Sequence, residues 1–267
     1  MGSMERSEGR SLFGRDPAGY DRARPDYPER VFELLRERCG LRAGTAVLEI
    51  GAGTGKATRR LLQLGARPLV AVEPDPALAA HLRVRHGDAV EVVEAPFEEA
   101  TLPGLDFDLA VAATSFHWVE PALGLARVGT LLRPGGAWAM WWALYGDESA
   151  DDPFHDATQE LLSGLPDPRP WAREPGRPWF ALDVDRRRAE LVDAGFVSVT
   201  HELIRRAERF DTARIRALYA TFSPISRLPA AERERLLDGI ALVAEREFGG
   251  AVERPVLTVA YTARRPA

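Results

Sequence analysis

The sequence predicts a doubly wound α/β domain, a mostly parallel sheet with helices on both faces. Three observations carry this reading. Short apolar runs alternate with helical stretches from residue 46 to residue 142, the pattern of strand–helix–strand units. The strand runs are mostly apolar throughout, as burial on two faces requires. A glycine-rich segment joins the first run to the helix after it, where such folds meet their ligands.

Residues 1–19 are polar and contain glycine, and read as loose. Pro28 then sits where a helix begins, with Val31, Phe32, Leu34 and Leu35 on its apolar side and Gly40 as its stop. Ala46 to Ile50 reads as the first strand, followed by a helix over 56–64 that Gly65 closes. Leu69 to Val72 is the second strand. Asp75 caps the next helix, with Pro76 in its first turn. Val90 to Val93 and Phe107 to Ala113 are the third and fourth strands. A helix over 121–132, ended by Pro134-Gly135-Gly136, leads to a fifth strand from Ala137 to Trp142. Residues 146–182, rich in Pro, Gly, Asp and aromatics, break the alternation and read as a helical insertion with loops. A helix over about 185–194, a strand over 196–206, helices near 211–221 and 229–247 and a strand over 255–264 complete the chain. No internal repeat is evident.

Of the 267 residues, 45% are hydrophobic and 28% charged, ordinary for a globular protein. The formal net charge is −5, and the basic residues are arginines apart from Lys56. No dense basic run appears, so a nucleic-acid partner is not expected. Cys39 is the one cysteine, which excludes an intrachain disulfide and fits a cytoplasmic protein. No apolar run reaches the ~18 residues of a membrane span. Met1-Gly2-Ser3-Met4 carries no signal core and reads as a remnant of cloning ahead of a native Met4. There is neither an H-E-x-x-H motif nor a cysteine cluster, so no metal is expected.

The segment Glu49-Ile50-Gly51-Ala52-Gly53-Thr54-Gly55 opens a helix after the first strand. A dinucleotide fingerprint would need glycine where Lys56 stands. A P-loop needs four residues between its first glycine and Gly-Lys, and here three separate Gly51 from Gly55. Both fail on spacing. Glu73, roughly 20 positions beyond Gly51, ends the second strand, where an acid grips ribose hydroxyls in nucleotide-binding folds. Gly51-x-Gly53-x-Gly55 after the acidic Glu49 resembles motif I of class I S-adenosylmethionine-dependent methyltransferases. Other segments extend the resemblance: Glu94-Ala95-Pro96-Phe97-Glu98, Ala113-Thr114-Ser115-Phe116-His117-Trp118, Leu132-Arg133-Pro134-Gly135-Gly136, and Tyr20-Asp21 through Arg24-Pro25 to Tyr27-Pro28. The Phe116-His117-Trp118 step is similar to trans-aconitate methyltransferase-like members of a bacterial small-molecule subgroup.

The resemblance implies a Rossmann-like sheet of seven strands whose last strand runs antiparallel, with an N-terminal helical lid and a helical insertion after strand five. It implies four segments: a lid over 1–40, a cofactor core over 41–145, a substrate cap over 146–183, and the rest of the sheet with substrate-side helices over 184–267. The cofactor it implies is S-adenosyl-L-methionine, leaving as S-adenosyl-L-homocysteine. Its binding residues would be Tyr20, Arg24 (near the cofactor carboxylate), Gly51, Ala52, Gly53, Gly55, Glu73, Pro74, Ala95, Pro96, Phe97, Thr114, Ser115 and Phe116. Tyr27, His117, Trp118, Trp142, Trp171 and Trp179 would line the substrate pocket. Glu49 reads as a structural acid holding the glycine turn, with direct cofactor contact as the alternative.

Methyl transfer needs a nucleophile lined up behind the methyl carbon more than it needs a catalytic triad. His117 is the candidate base, with a role in positioning alone as its alternative. Trp141, Trp142, Phe154, Trp171, Trp179 and Phe180 suit either a pocket or a small core. His155 and Arg173 could meet a polar end of a substrate, and Arg186-Arg187-Arg188 reads as a solvated helix face. The expected activity is transfer to an O, N or C atom of a small molecule, by a monomer or homodimer without membrane attachment. Two alternatives use the same motifs: cyclisation of the aminobutyrate arm, which would release methylthioadenosine, and cofactor binding without catalysis.

Overall fold

The computed structural model describes residues 16–104, 106–147, 149–165 and 180–267. Two helices lead, α1 (Pro17–Ala23) and α2 (Glu29–Cys39). The core follows as β1 (Val47–Ile50), α3 (Lys56–Gln63), β2 (Leu69–Val72), α4 (Pro76–His86), β3 (Glu91–Val93), β4 (Phe107–Ala113), α5 (Pro121–Leu131) and β5 (Leu132–Tyr145). The remainder is α6 (Pro153–Leu162), α7 (Val184–Asp193), β6 (Val197–Asp211), α8 (Thr212–Ala220), the one-turn α9 (Ser223–Ser226), α10 (Ala230–Phe248) and β7 (Ala251–Arg264).

The seven strands form one sheet in the order β3-β2-β1-β4-β5-β7-β6. β7 runs antiparallel to both its neighbours, and the other pairings within the core are parallel. Alternate residues of β5 supply both faces of the core. Trp138, Met140 and Trp142 pack beneath α5 and α7, while Ala137, Ala139 and Trp141 face α2, α3 and α4. The helix punctuation agrees with the sequence. Asp75 accepts from the Ala77 and Leu78 amides at the start of α4, and Gly40 ends α2 in a left-handed conformation.

Three elements differ from the sequence reading. Pro134-Gly135-Gly136 does not end the helix, because α5 stops at Leu131 and the segment lies inside β5. The register of β5 on β4 shifts there, so the glycines form a bulge at the strand's entry. A Cβ on Gly136 would stand 2.8 Å from the Arg133 carbonyl oxygen. β6 and β7 also run further than expected. They pair beyond the end of β5 as far as Asp211 opposite Ala251, through a charged stretch whose side chains pair across the ribbon, as Arg209 does with Glu253 at 3.0 Å. Lastly, Arg187 is 1% exposed. It lies over the Phe180 ring and pairs with Glu190, so only part of the arginine run is solvated.

The long ribbon determines where the cap sits. It carries α8, α9 and α10 past the carboxyl edge of the sheet, where α6 joins them. Phe154, Phe210, Ile215, Leu218, Tyr219, Leu237 and Ile240 form a separate small core there. The insertion and the C-terminal helices thus build one cap. From the N-terminus, α1 leans on α8 of this cap.

Candidate active site

The order of strands reverses between β1 and β4, and a doubly wound sheet opens a crevice at such a point. The crevice here is a cavity of about 990 Å³, roofed by α1 and the cap. Its size falls at the upper end of small-molecule sites.

The glycine turn forms the floor. A Cβ on Gly51 would come within 2.5 Å of the Ser115 Cβ, so glycine lets the loop after β4 close against β1. The Ser115 hydroxyl donates to the Ile50 carbonyl across that contact. Glu73 stands beside the turn, 4% exposed. One carboxylate oxygen accepts the Gly53 N–H at 2.8 Å and the other accepts the Asp75 N–H at 3.0 Å. Glu73 also lines the cavity.

Asp21 fastens α1 to the same turn. Its carboxylate accepts from Arg85 at 2.7 Å and from the Thr54 hydroxyl at 3.1 Å, with Lys56 at 3.4 Å. Burial alone would raise the Asp21 carboxyl, but Arg85 and Lys56 outweigh it and hold it below the usual range. Behind the lid, Tyr27 packs edge-on against Trp141 and donates to the Thr114 hydroxyl at 3.1 Å. Thr114 has φ of 55°, a costly backbone for a β-branched residue. That geometry also lets its oxygen accept from the Ala143 N–H on β5.

Glu49 lies below the turn, fully buried. It accepts from the Thr58 hydroxyl at 2.7 Å, and its other oxygen has no partner among the described residues. Burial, with the neighbouring Glu73 charge, pushes its carboxyl up from 4.5 to about 8. Between those values the folded protein holds a proton that the unfolded chain releases. Stability therefore falls as pH rises across that window, by at most about 1.4 kcal/mol per pH unit. Glu49→Gln keeps an acceptor for Thr58 and removes the ionisable group. Melting curves between about pH 5 and pH 8 should lose that slope in the variant, with a higher melting temperature at pH 8. An unchanged profile would mean that Glu49 is ionised in the fold.

His117 sits in the 3₁₀ turn Phe116–Trp118. Its Nδ1 accepts the indole N–H of Trp142 at 3.1 Å. Burial, and then the nearby Arg24 charge, push its pKa down to about 3.

The cavity brings together most of the residues picked from the sequence: Tyr20, Arg24 and Tyr27 from the lid; Gly51, Ala52 and Gly53 from the turn; Glu73, Pro74 and Phe97; and Thr114, Ser115, His117 and Trp118. Five others do not line it. Gly55 serves packing, since a Cβ there would stand 2.7 Å from the His86 ring. Ala95 and Pro96 lie beside the lining Phe97, with Ala95 packed on the core. Phe116 is buried against Trp138, and Trp142 is buried in the core and reaches the cavity only through His117. Trp141 and Phe154 are core residues as well. Trp171, Arg173 and Trp179 lie outside the described residues. His155 lines the cavity from the cap, bonded to Gln159.

The sequence reading missed the cap half of the lining: Tyr145, Tyr219, Phe222 and the Asp152–Arg254 pair. One signal was present, Arg254 immediately ahead of the apolar run of β7. Among the described residues no cluster of His, Cys, Asp and Glu could hold a metal, and no helix is long and apolar enough to cross a membrane.

Residues 47–136 match a family model described as a methyltransferase domain. An uncharacterized methyltransferase of Schizosaccharomyces pombe is 28% identical over 265 residues, covering 95% of this chain and 96% of that one. The chain is an S-adenosylmethionine-dependent methyltransferase with the class I methyltransferase fold. An uncharacterized methyltransferase of Mycobacterium tuberculosis is 36% identical to this methyltransferase over 130 residues, 49% of this chain and 51% of the relative, so the match spans about half of each. Among solved structures, a candidate type II methyltransferase of Anaeromyxobacter dehalogenans superposes with a TM-score of 0.63, at 22% identity, over 91% of this chain and 98% of that one. Phosphoethanolamine N-methyltransferase 2 of Haemonchus contortus, solved with phosphomonomethylethanolamine and S-adenosylhomocysteine, superposes at 0.58 and 13% identity, over all of this chain and 61% of its own. These two likenesses are of fold alone.

Proposed function

We propose that this methyltransferase acts on a small molecule enclosed beneath its lid and cap. The observation that carries this reading is the roof. The cap, with its own apolar core, and the latched α1 both line the cavity, whereas a macromolecular acceptor needs an open approach.

The residues at the floor fit S-adenosylmethionine. The Glu73 carboxylate suits a vicinal diol, and the Gly51–Gly53 backbone allows close approach of an aminoacyl arm. Leu78 and Phe97 offer apolar surface for a flat base, beside Pro74. When bound, the cofactor supplies a methyl group already activated on a sulfonium. The chain then has to orient the acceptor and keep out water, and Thr114, Ser115, Tyr27, His117 and Trp118 stand where that happens. In this division residues 1–40 are the lid and 41–145 the donor-binding core. The cap draws on both α6, from 146–183, and the helices of 184–267.

Incubation with methyl-labelled S-adenosylmethionine and a fractionated cell extract tests the proposal. Label should enter the low-molecular-mass fraction with release of S-adenosylhomocysteine. Label in protein or RNA, or release of methylthioadenosine, would contradict it. The lid adds a second expectation. Asp21→Ala removes three contacts from a half-buried latch and should weaken S-adenosylhomocysteine binding about three- to tenfold in calorimetry. Unchanged affinity would detach the lid from cofactor binding.

A further inference from the structure

Helix α1 has seven residues, packs on both α8 and α4, and carries an anchor to each half of the cavity. Asp21 is the anchor to the floor, through Arg85, the Thr54 hydroxyl and Lys56. Arg24, which ends the helix, reaches the other way. Its Nε donates to the Thr221 hydroxyl at 3.1 Å, and a second nitrogen donates toward the Thr221 carbonyl at 3.5 Å. The Thr221 hydroxyl gives its own proton to the Leu218 carbonyl at 2.6 Å, so its oxygen is left to accept. The guanidinium also lies over the rings of Tyr145 and Phe222, at 5.5 and 5.8 Å from their centroids.

These partners define one place in the cap. Thr221 ends α8 and Phe222 begins α9. Arg24 therefore holds the corner between two cap helices, and its charge suits the C-terminal end of α8. Tyr219, Phe222 and Ile225, on either side of that corner, line the cavity. Asp21 and Arg24 are three positions apart, so the two anchors are neighbours on one helical turn. A shift of α1 that frees one anchor moves the other. The sequence reading set Arg24 beside the donor's carboxylate, whereas its polar partner in the structure belongs to the cap.

From this we infer that Arg24 is a positioning residue, through which a cofactor-loaded glycine turn seats the α8–α9 corner of the cap over the acceptor. The inference rests on the cofactor placement proposed above. A ligand on the turn steadies Thr54 and its neighbours, and so favours the docked state of α1 that Asp21 bonds to them. Docked α1 keeps Arg24 on Thr221 and Phe222, and the cap wall of the cavity takes its final shape. The bistable element is α1, and both sites bias it. The coupling is reciprocal, so a seated cap also tightens the hold on the cofactor. The chemistry gains because the wall that orients the acceptor is set when the donor is in place.

Hydrogen–deuterium exchange followed by mass spectrometry, with and without saturating S-adenosylhomocysteine, tests this. In the unaltered protein the ligand should slow exchange at the turn Gly51–Gly55 and also at α8 and α9, the latter by about fivefold or more. In Arg24→Ala the turn should still respond, while the slowing at α8 and α9 falls below about twofold. Arg24→Lys keeps the charge but not the fork, and should restore part of the response. Asp21→Ala should lose the α8–α9 response as well, although the partners of Asp21 all lie on the floor side. A purely local role for Arg24 would leave that variant's cap response intact. Where Arg24→Ala does not fold, Asp21→Ala carries the test from the other end of the helix. A cap that responds in either alanine variant as it does in the unaltered protein would overturn the inference. So would a cap that ignores the ligand in the unaltered protein while the turn responds. Absence of any response at Gly51–Gly55 in the unaltered protein would overturn the cofactor placement instead.

Discussion

Glu73→Ala should weaken S-adenosylhomocysteine binding by at least about 100-fold, near 2.7 kcal/mol, in a protein that still folds. The carboxylate does two jobs. Toward the cavity, in the proposed reading, it takes the hydroxyls of the cofactor's ribose. Toward the protein its oxygens accept the Gly53 and Asp75 amides, tying the glycine turn to the entry of α4. Alanine removes the ligand contacts and leaves both amides without their acceptor, at about 1.5–3 kcal/mol for each such bond. The melting temperature should therefore drop as well. The sheet beneath is held by apolar packing that does not involve Glu73, so far-ultraviolet circular dichroism should stay near that of the unaltered protein. Retained affinity in a folded Glu73→Ala variant would remove this residue from cofactor binding.

The largest effect on stability is expected at Arg254. Its guanidinium meets Asp152 with Nε–Oδ2 at 3.0 Å and a second nitrogen at 2.6 Å, and donates to the Tyr219 hydroxyl at 3.0 Å. Asp152 also accepts the His155 N–H and caps α6. The pair thus joins β7, α6 and α8 inside the cap. Its side chains are 3% and 7% exposed. Arg254→Ala leaves a carboxylate buried without its partner and should cost about 3–5 kcal/mol. Chemical denaturation should report that loss, and limited proteolysis should find the cap cleaved faster. Combining Arg254→Met with Asp152→Asn restores neutrality and keeps the cap on α6, so it should recover most of the stability. A single Arg254→Ala variant as stable as the starting protein would show that the pair does not secure the cap.

The half of the site built from consecutive residues could be read in advance. The strand β1, the turn Gly51–Gly55 and Glu73 follow one another along the chain, and each has a local requirement that limits its residue types. The N-terminal part of the lining was legible for the same reason, through Tyr20, Arg24 and Tyr27. The cap half was not, because Tyr145, Tyr219, Phe222 and Arg254 meet only after a charged β-ribbon carries the last helices over the sheet. That ribbon was itself undervalued. Its outer part is held by backbone pairing and cross-strand ion pairs, which leave no apolar pattern. Trp142 misled in the other direction. An aromatic beside a cavity can belong to the core and act through a neighbour, and here the neighbour is His117.

The most direct measurement is calorimetric titration of the purified protein with S-adenosylhomocysteine. One site of micromolar affinity, lost in Glu73→Ala, is the predicted result. No detectable binding, together with binding of a nicotinamide dinucleotide or a nucleoside triphosphate, would contradict the account.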